Sequence, residues 1–180
     1  YSISDKGKIK WFINLNQSLD VNPSNLFYSN PIVLHQNKLI ISTDLYLYIL
    51  DSDNGSMLYK FAVTSSSRPV ISGENLFLIT QDNLLVCINL GSKKIVYSVD
   101  INQNIANFLD TKKKSVNIKS LAIINNDLFL FLNNSYLVKF SSAGRIQDIQ
   151  KLSSRLGSFP IFINESIIYL NNKNKLIIVN

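Results

Sequence analysis

Residues 74–89 read ENLFLITQDNLLVCIN: an apolar run, a short polar break, and a second apolar run closed by Asn89. Short runs of β-favouring apolar residues around a tight polar turn predict two strands of a hairpin. The same pattern stands at three other places. KLIISTDLYLYILD (38–51), DLFLFLNNSYLVKFS (127–141) and SIIYLNNKNKLIIVN (166–180) each pair two apolar runs across a polar break and close on Asp, Asn or Ser.

The flanks repeat as well. A short apolar piece precedes each hairpin: NPIVLHQ (30–36), RPVISGE (68–74), KSLAIIN (119–125) and FPIFINE (159–165). After the first three hairpins comes a turn containing glycine and a fourth β-like run: NGSMLYKFAV (54–63), GSKKIVYSVDI (91–101) and AGRIQDIQKL (143–152). The unit is therefore four short strands, and Pro31 to Pro69 measures it at 38 residues. A repeat of about 40 residues with four strands each is the signature of a β-propeller blade. Helical solenoids of similar period would need 3.6-residue periodicity, whereas this chain offers short Ile, Val, Tyr, Phe and Thr runs broken by Asn, Gly and Ser.

The expected fold is all-β, a β-propeller of about four four-stranded blades forming one domain or propeller segment over 1–180. The blades fall at 30–63, 68–101, 118–152 and 159–180. Residues 1–5 look like the end of a third strand and 8–15 like a fourth. The last blade lacks a fourth strand, which leaves two arrangements open. Either 8–15 supplies a closing strand for a four-bladed ring, or the chain is half of an eight-bladed propeller, closure being the way propellers remove open edges. The segment NQNIANFLDTKKKSVN (102–117) reads as one long polar connection.

Bulk properties exclude several classes. At 46% hydrophobic and 17% charged the chain belongs with folded globular proteins. The net charge of +6 is moderate, and it is densest at Lys112-Lys113-Lys114 with Lys119 nearby. That run reads as a solvated loop, and no nucleic-acid partner is expected without clustered cations and stacking aromatics. The single cysteine, Cys87, permits no intrachain disulfide and reads as a buried small hydrophobe. With one Cys and one His, His35, structural zinc lacks ligands. No apolar run is long enough to cross a membrane as a helix, and Tyr1-Ser2-Ile3-Ser4 shows no signal-peptide pattern.

Catalysis is not expected either. The acids are scattered along the chain as Asp44, Asp51, Asp53, Glu74, Asp82, Asp100, Asp110 and Asp127. Asp51-Ser52-Asp53-Asn54-Gly55 matches the start of a calcium loop but has Phe61 where the bidentate Glu belongs, so it reads as a plain turn. His35 stands at a strand end with no nucleophile in a recognisable setting. Matches to the glycosylation pattern at Asn16, Asn54, Asn133 and Asn164 are what chance gives in an Asn-rich chain.

Blade type follows from the turns. Neither the dipeptides of WD repeats nor the Gly-Gly of Kelch repeats occurs. Instead Pro opens the first strand, Asp or Asn closes the third, and a glycine turn leads to an aromatic. ISDKGKIKWFINL (3–15) gives Asp5, Gly7 and Trp11; LDSDNGSMLYKFAV (50–63) gives Asp51, Gly55 and Tyr59. This resembles the PQQ-type propeller repeat, in which the glycine allows a tight turn and the aromatic packs between neighbouring blades; Tyr97 and Ile149 stand near the same place in later copies. Quinoprotein dehydrogenases built from such repeats carry an adjacent Cys pair, a calcium site and a catalytic Asp. This chain shows none of that pattern, so no enzyme activity and no cofactor are expected.

The stretches SRPVISGENLFLITQDNLLVCIN (67–89) and IQKLSSRLGSFPIFINESIIYLNNKNKLIIVN (149–180) are similar to the propeller lipoproteins of the bacterial outer-membrane β-barrel assembly machinery, the BamB type. The resemblance implies the C-terminal part of an eight-bladed, non-enzymatic scaffold in the periplasm. It would be held at the outer membrane only through a lipid anchor upstream of Tyr1, and would dock onto the barrel-inserting subunit. The family's docking loop, Leu-Ser-x-Arg-x-x-Ser-x-Pro, is matched by LSSRLGSFP (152–160), with Ser154 where a second apolar residue is expected. The implied protein-binding residues are Leu152 and Arg155, with Arg68 of the Ser-Arg-Pro run. The alternatives are a ligand-binding or sensor propeller domain, or the propeller part of a quinoprotein-like enzyme lacking its active site here.

Overall fold

Alternation along each apolar run decides how these strands pack. In the computed structural model, residues 1–15, 31–164 and 166–179 are described. The glycosylation match beginning at Asn16, the first residue of the 30–63 blade, Glu165 and Asn180 lie outside them. The chain divides into two units, Tyr1–Pro69 and Val70–Asn180.

The first unit holds β1 (Ser2–Ile3), β2 (Ile9–Trp11), β3 (Val33–His35), β4 (Lys38–Ser42), β5 (Leu47–Asp51) and β6 (Met57–Phe61). Strands β3 to β6 form a four-stranded antiparallel sheet in chain order. Strand β2 pairs with β1 in a two-stranded sheet, so the 8–15 segment contributes a three-residue strand with a partner of its own.

The second unit opens with β7 (Val70–Ser72), β8 (Asn75–Ile79), β9 (Leu84–Asn89) and β10 (Lys94–Asp100), again one antiparallel sheet in chain order. The hairpin at 74–89 is thus β8 and β9, paired from Asn75↔Asn89 to Ile79↔Leu85. A second sheet holds β11 (Ile118–Ile124), β12 (Asp127–Leu132), β13 (Tyr136–Phe140) and β14 (Ile146–Lys151). The last holds β15 (Ile161–Ile163), β16 (Ser166–Leu170) and β17 (Leu176–Val179), three strands among the described residues.

Both faces of the middle sheet are buried at β12, which is why Leu128–Leu132 reads as a continuous apolar run. Successive side chains of β12 point to opposite faces. Leu128, Leu130 and Leu132 pack with Phe77, Ile79, Leu85 and Cys87 of the preceding sheet. Phe131, and Phe129 beside it, pack the other way with Leu156, Ile167 and Tyr169 of the last sheet. The outermost strands β6, β10 and β14 are largely exposed, and each is joined to its neighbour with a register shift. Bulged, charged edges of this kind resist pairing with other sheets.

The connection at 102–117 differs from what its polar composition predicts. It begins with a helix, α1 (Ile101–Phe108), capped by Asp100, whose side chain accepts from the Gln103 backbone N–H at 3.0 Å. The helix forms despite its Asn and Gln because Ile101 is fully buried in the core of the second unit and Ala106 is buried as well. Packing overrides the weak local propensity.

Candidate protein-binding groove

The repeated glycines and aromatics have a common geometry. In the first unit the Trp11 indole lies on Gly55, where an added Cβ would stand 2.6 Å from Cδ2, and Nε1 donates to the Ser52 carbonyl at 3.1 Å. In the second unit Tyr97 lies on Gly144, where a Cβ would stand 2.8 Å from Cε2, and its hydroxyl donates to the Ser142 carbonyl at 2.9 Å. Each aromatic comes from an outer strand and each glycine from the turn leading into the next sheet's outer strand. Both glycines have a left-handed φ, +73° and +77°. Burial pushes the Tyr97 hydroxyl well above the usual phenol range, with Cys87 adding to the shift. The expected place for Ile149 is different: it packs into the core beside Val138 instead of on a turn.

The residues that end third strands close turns. Asp51 Oδ1 accepts from the backbone N–H groups of Asp53 and Asn54, which makes the calcium-like stretch a hydrogen-bonded turn. Asn89, which closes the 74–89 hairpin, donates to Asn75 at 3.0 Å and accepts from the Ser92 N–H at 2.8 Å. Cys87 is 2% exposed and burial raises its thiol to about 11. His35 stands at the end of β3, its Nε2 buried with no hydrogen-bond partner among the described residues.

The loop 152–160 distributes its residues between two tasks. Leu152 is 3% exposed and packs with Phe131, Leu137, Leu156 and Tyr169, so its expected place on a docking surface is corrected: it is a core residue. Ser158 Oγ accepts from the Leu170 N–H at 3.0 Å, and the Gly157 N–H donates to the Leu170 carbonyl at 2.7 Å. Tyr169 donates to the Ser154 carbonyl, and the Arg155 carbonyl accepts from the Asn172 N–H. The loop backbone is thus fastened to the last sheet on both sides of Arg155, which is itself exposed. Arg68, also exposed, precedes buried Pro69 in the first unit.

Arg155 does not stand alone. It lines a groove of about 470 Å³ together with α1, the following segment and the β12–β13 turn. Ile105, Leu109 and Val116 give apolar surface, while Lys112 and Lys114 add charge to that of Arg155. The third lysine of the run has another task. Lys113 pairs with Asp100 at 2.6 Å, which holds that carboxyl below the usual carboxylate range; the helix-cap hydrogen bond from Gln103 lowers it further. In this stretch of irregular backbone the two neighbouring lysines line the groove while Lys113 ties down the helix start.

The far end of the segment is clamped. Asn102 Oδ1 accepts from the Val116 N–H at 3.0 Å, and Asn83 donates to the Val116 carbonyl at 2.8 Å. The Asn133 N–H donates to the Asn117 carbonyl. Nothing in the sequence placed Arg155 near Lys112 and Lys114, about 40 residues away, because that proximity depends on how α1 and the loop sit on the last two sheets.

No protein-family model matches the chain, and no curated protein matches it. Solved structures do. BamB from Moraxella catarrhalis superposes with a TM-score of 0.65 at 10% identity, over 83% of this chain and 42% of that one. The computationally designed Ika4 protein gives 0.65 at 10% identity over 96% of this chain and 98% of its own. The designed Ika8 protein gives 0.59 at 10% identity, with 82% and 44% covered. The chain therefore spans under half of that BamB chain. Its repeated four-stranded antiparallel sheets and this likeness establish the fold as an all-β propeller.

Proposed function

We propose that this chain is a non-enzymatic protein-interaction scaffold whose contact surface includes Arg155. The observation that carries the reading is the division within the 152–160 loop: Leu152 and Ser158 build the blade, and Arg155 is presented outward from a fastened backbone. The fastened loop has little backbone freedom left to lose on binding, and arginine is among the residue types enriched at the centres of interfaces. The non-catalytic part of the reading is supported by where acids are used. Asp51 closes a turn, Asp100 caps a helix, and Asp127 pairs with Lys139 at 2.8 Å.

The resemblance to BamB-type proteins supplies the partner to try first, the barrel-inserting subunit of the assembly machinery, and with it a periplasmic location at the outer membrane. The test is calorimetric titration of this chain with the periplasmic domains of that subunit. Saturable binding that weakens by about tenfold or more in Arg155→Glu is the expected result, a charge reversal at a buried contact being worth that much. Wild-type binding that ignores Arg155→Glu, or no binding, removes the reading.

A further inference from the structure

The groove beside Arg155 has a chemistry of its own. We propose that it receives an acidic, extended peptide segment of a protein partner, an inference that rests on the scaffold reading. Its lining includes three cations, Lys112, Lys114 and Arg155, and none of the described residues lining it is Asp or Glu. Two acids flank the segment. Asp100 is already engaged by Lys113 and the Gln103 N–H, and Asp110 is not part of the lining. The groove is therefore positive on balance, which draws a partner of opposite charge.

Further features select a peptide. Ile105, Ala106, Leu109 and Val116 give the lining apolar surface, and Leu109 is 48% exposed, ready to cover an aliphatic side chain. Asn117, Asn133 and Asn134 also line it, and carboxamides both donate and accept, as a peptide backbone requires. No aromatic side chain lines the groove among the described residues, so bases would find nothing to stack on. The volume of about 470 Å³ lies within the range of sites that bind small ligands or a few side chains. The walls are also preformed, since Val116 is clamped by Asn102 and Asn83 and the cap at Asp100 fixes the helix.

The experiment uses the 180-residue chain and a fluorescein-labelled short peptide of alternating glutamate and leucine, followed by anisotropy. The groove triple variant carries Lys112→Gln, Lys114→Gln and Arg155→Gln. A matched triple, Lys6→Gln, Lys8→Gln and Lys10→Gln, removes the same charge at exposed positions elsewhere. Expected is a loss of about tenfold or more for the groove triple and about twofold or less for the matched one, with affinity falling as salt rises. The matching glutamine–leucine peptide should bind weakly. Equal losses in the two triples, or equal affinity for the glutamine peptide, overturns the proposal. So does an equal groove-dependent affinity for an oligonucleotide or for anionic vesicles.

Wild type, Arg155→Glu and a Lys112→Gln, Lys114→Gln double variant are then titrated with the periplasmic domains of the barrel-inserting subunit. If wild type binds those domains and Arg155→Glu weakens that binding while the Lys112→Gln, Lys114→Gln double variant binds them as well as wild type, the groove inference fails and the scaffold reading stands. If the acidic peptide binds through the groove but the domains do not bind at all, the partner assignment fails and the groove's chemistry stands.

Discussion

Replacing Gly144 by alanine probes the contact that joins two sheets of the second unit. Gly144 has φ +77°, and a Cβ there would stand 2.8 Å from Tyr97 Cε2 and 3.1 Å from Cζ. Gly73 in the same unit is the control: φ is +55°, and a Cβ would meet nothing within 4 Å. Alanine in the left-handed region costs about 1–2 kcal/mol by backbone alone. Gly73→Ala should therefore lose about 1–2 kcal/mol. Gly144→Ala adds the overlap with a ring that is packed against the core and held by its hydroxyl on Ser142. Overpacking of that kind costs about 1–3 kcal/mol more. Urea and thermal unfolding followed by circular dichroism read the difference, at roughly 2–4 °C of Tm per kcal/mol for a chain this long. In the Tyr97→Leu background the extra penalty of Gly144→Ala should shrink toward the Gly73→Ala value, since the two residues share one contact. Equal losses for the two glycines, or an extra penalty that survives Tyr97→Leu, would refute the ring-on-turn account.

Other outcomes rest on the same geometry. Leu152→Ala should lower stability by about 2–5 kcal/mol, as for other buried leucines, while Arg155→Ala should leave unfolding within about 0.5 kcal/mol of wild type; comparable losses for both would put Arg155 in the core. Cys87, buried with its thiol raised to about 11, should resist a thiol reagent at mildly alkaline pH until the chain is unfolded in denaturant; labelling of the native protein within the mixing time would contradict this. Asp100→Ala should cost about 1 kcal/mol through loss of the helix cap. Because Lys113 lowers the folded-state pKa of Asp100, the wild-type contribution should be intact above the ordinary Asp range near about 4 and disappear as pH falls below it. A wild-type-minus-variant stability difference that stays constant from neutral pH to well below that range would count against the ion pair.

The sheet structure was legible in the chain. Each paired apolar run became a hairpin at its expected place, because period-two alternation and polar turns act within a few residues. The Gly-and-aromatic pattern was legible too, and Trp11 on Gly55 and Tyr97 on Gly144 give it a physical reason. The polar stretch 102–117 misled, since its helix depends on Ile101 and Ala106 finding a core that distant strands build.

The candidate site divides the same way. Arg155 was visible through a motif, but the motif could not separate it from Leu152, since exposure is a property of the packed sheet. Sequence alone determined that the chain is all-β and where its strands turn. Only tertiary structure decided that Arg155 shares a groove with Lys112 and Lys114 while Lys113 is tied to Asp100. Strand pattern is set by neighbours along the chain, whereas a binding surface is set by which distant segments the core holds side by side.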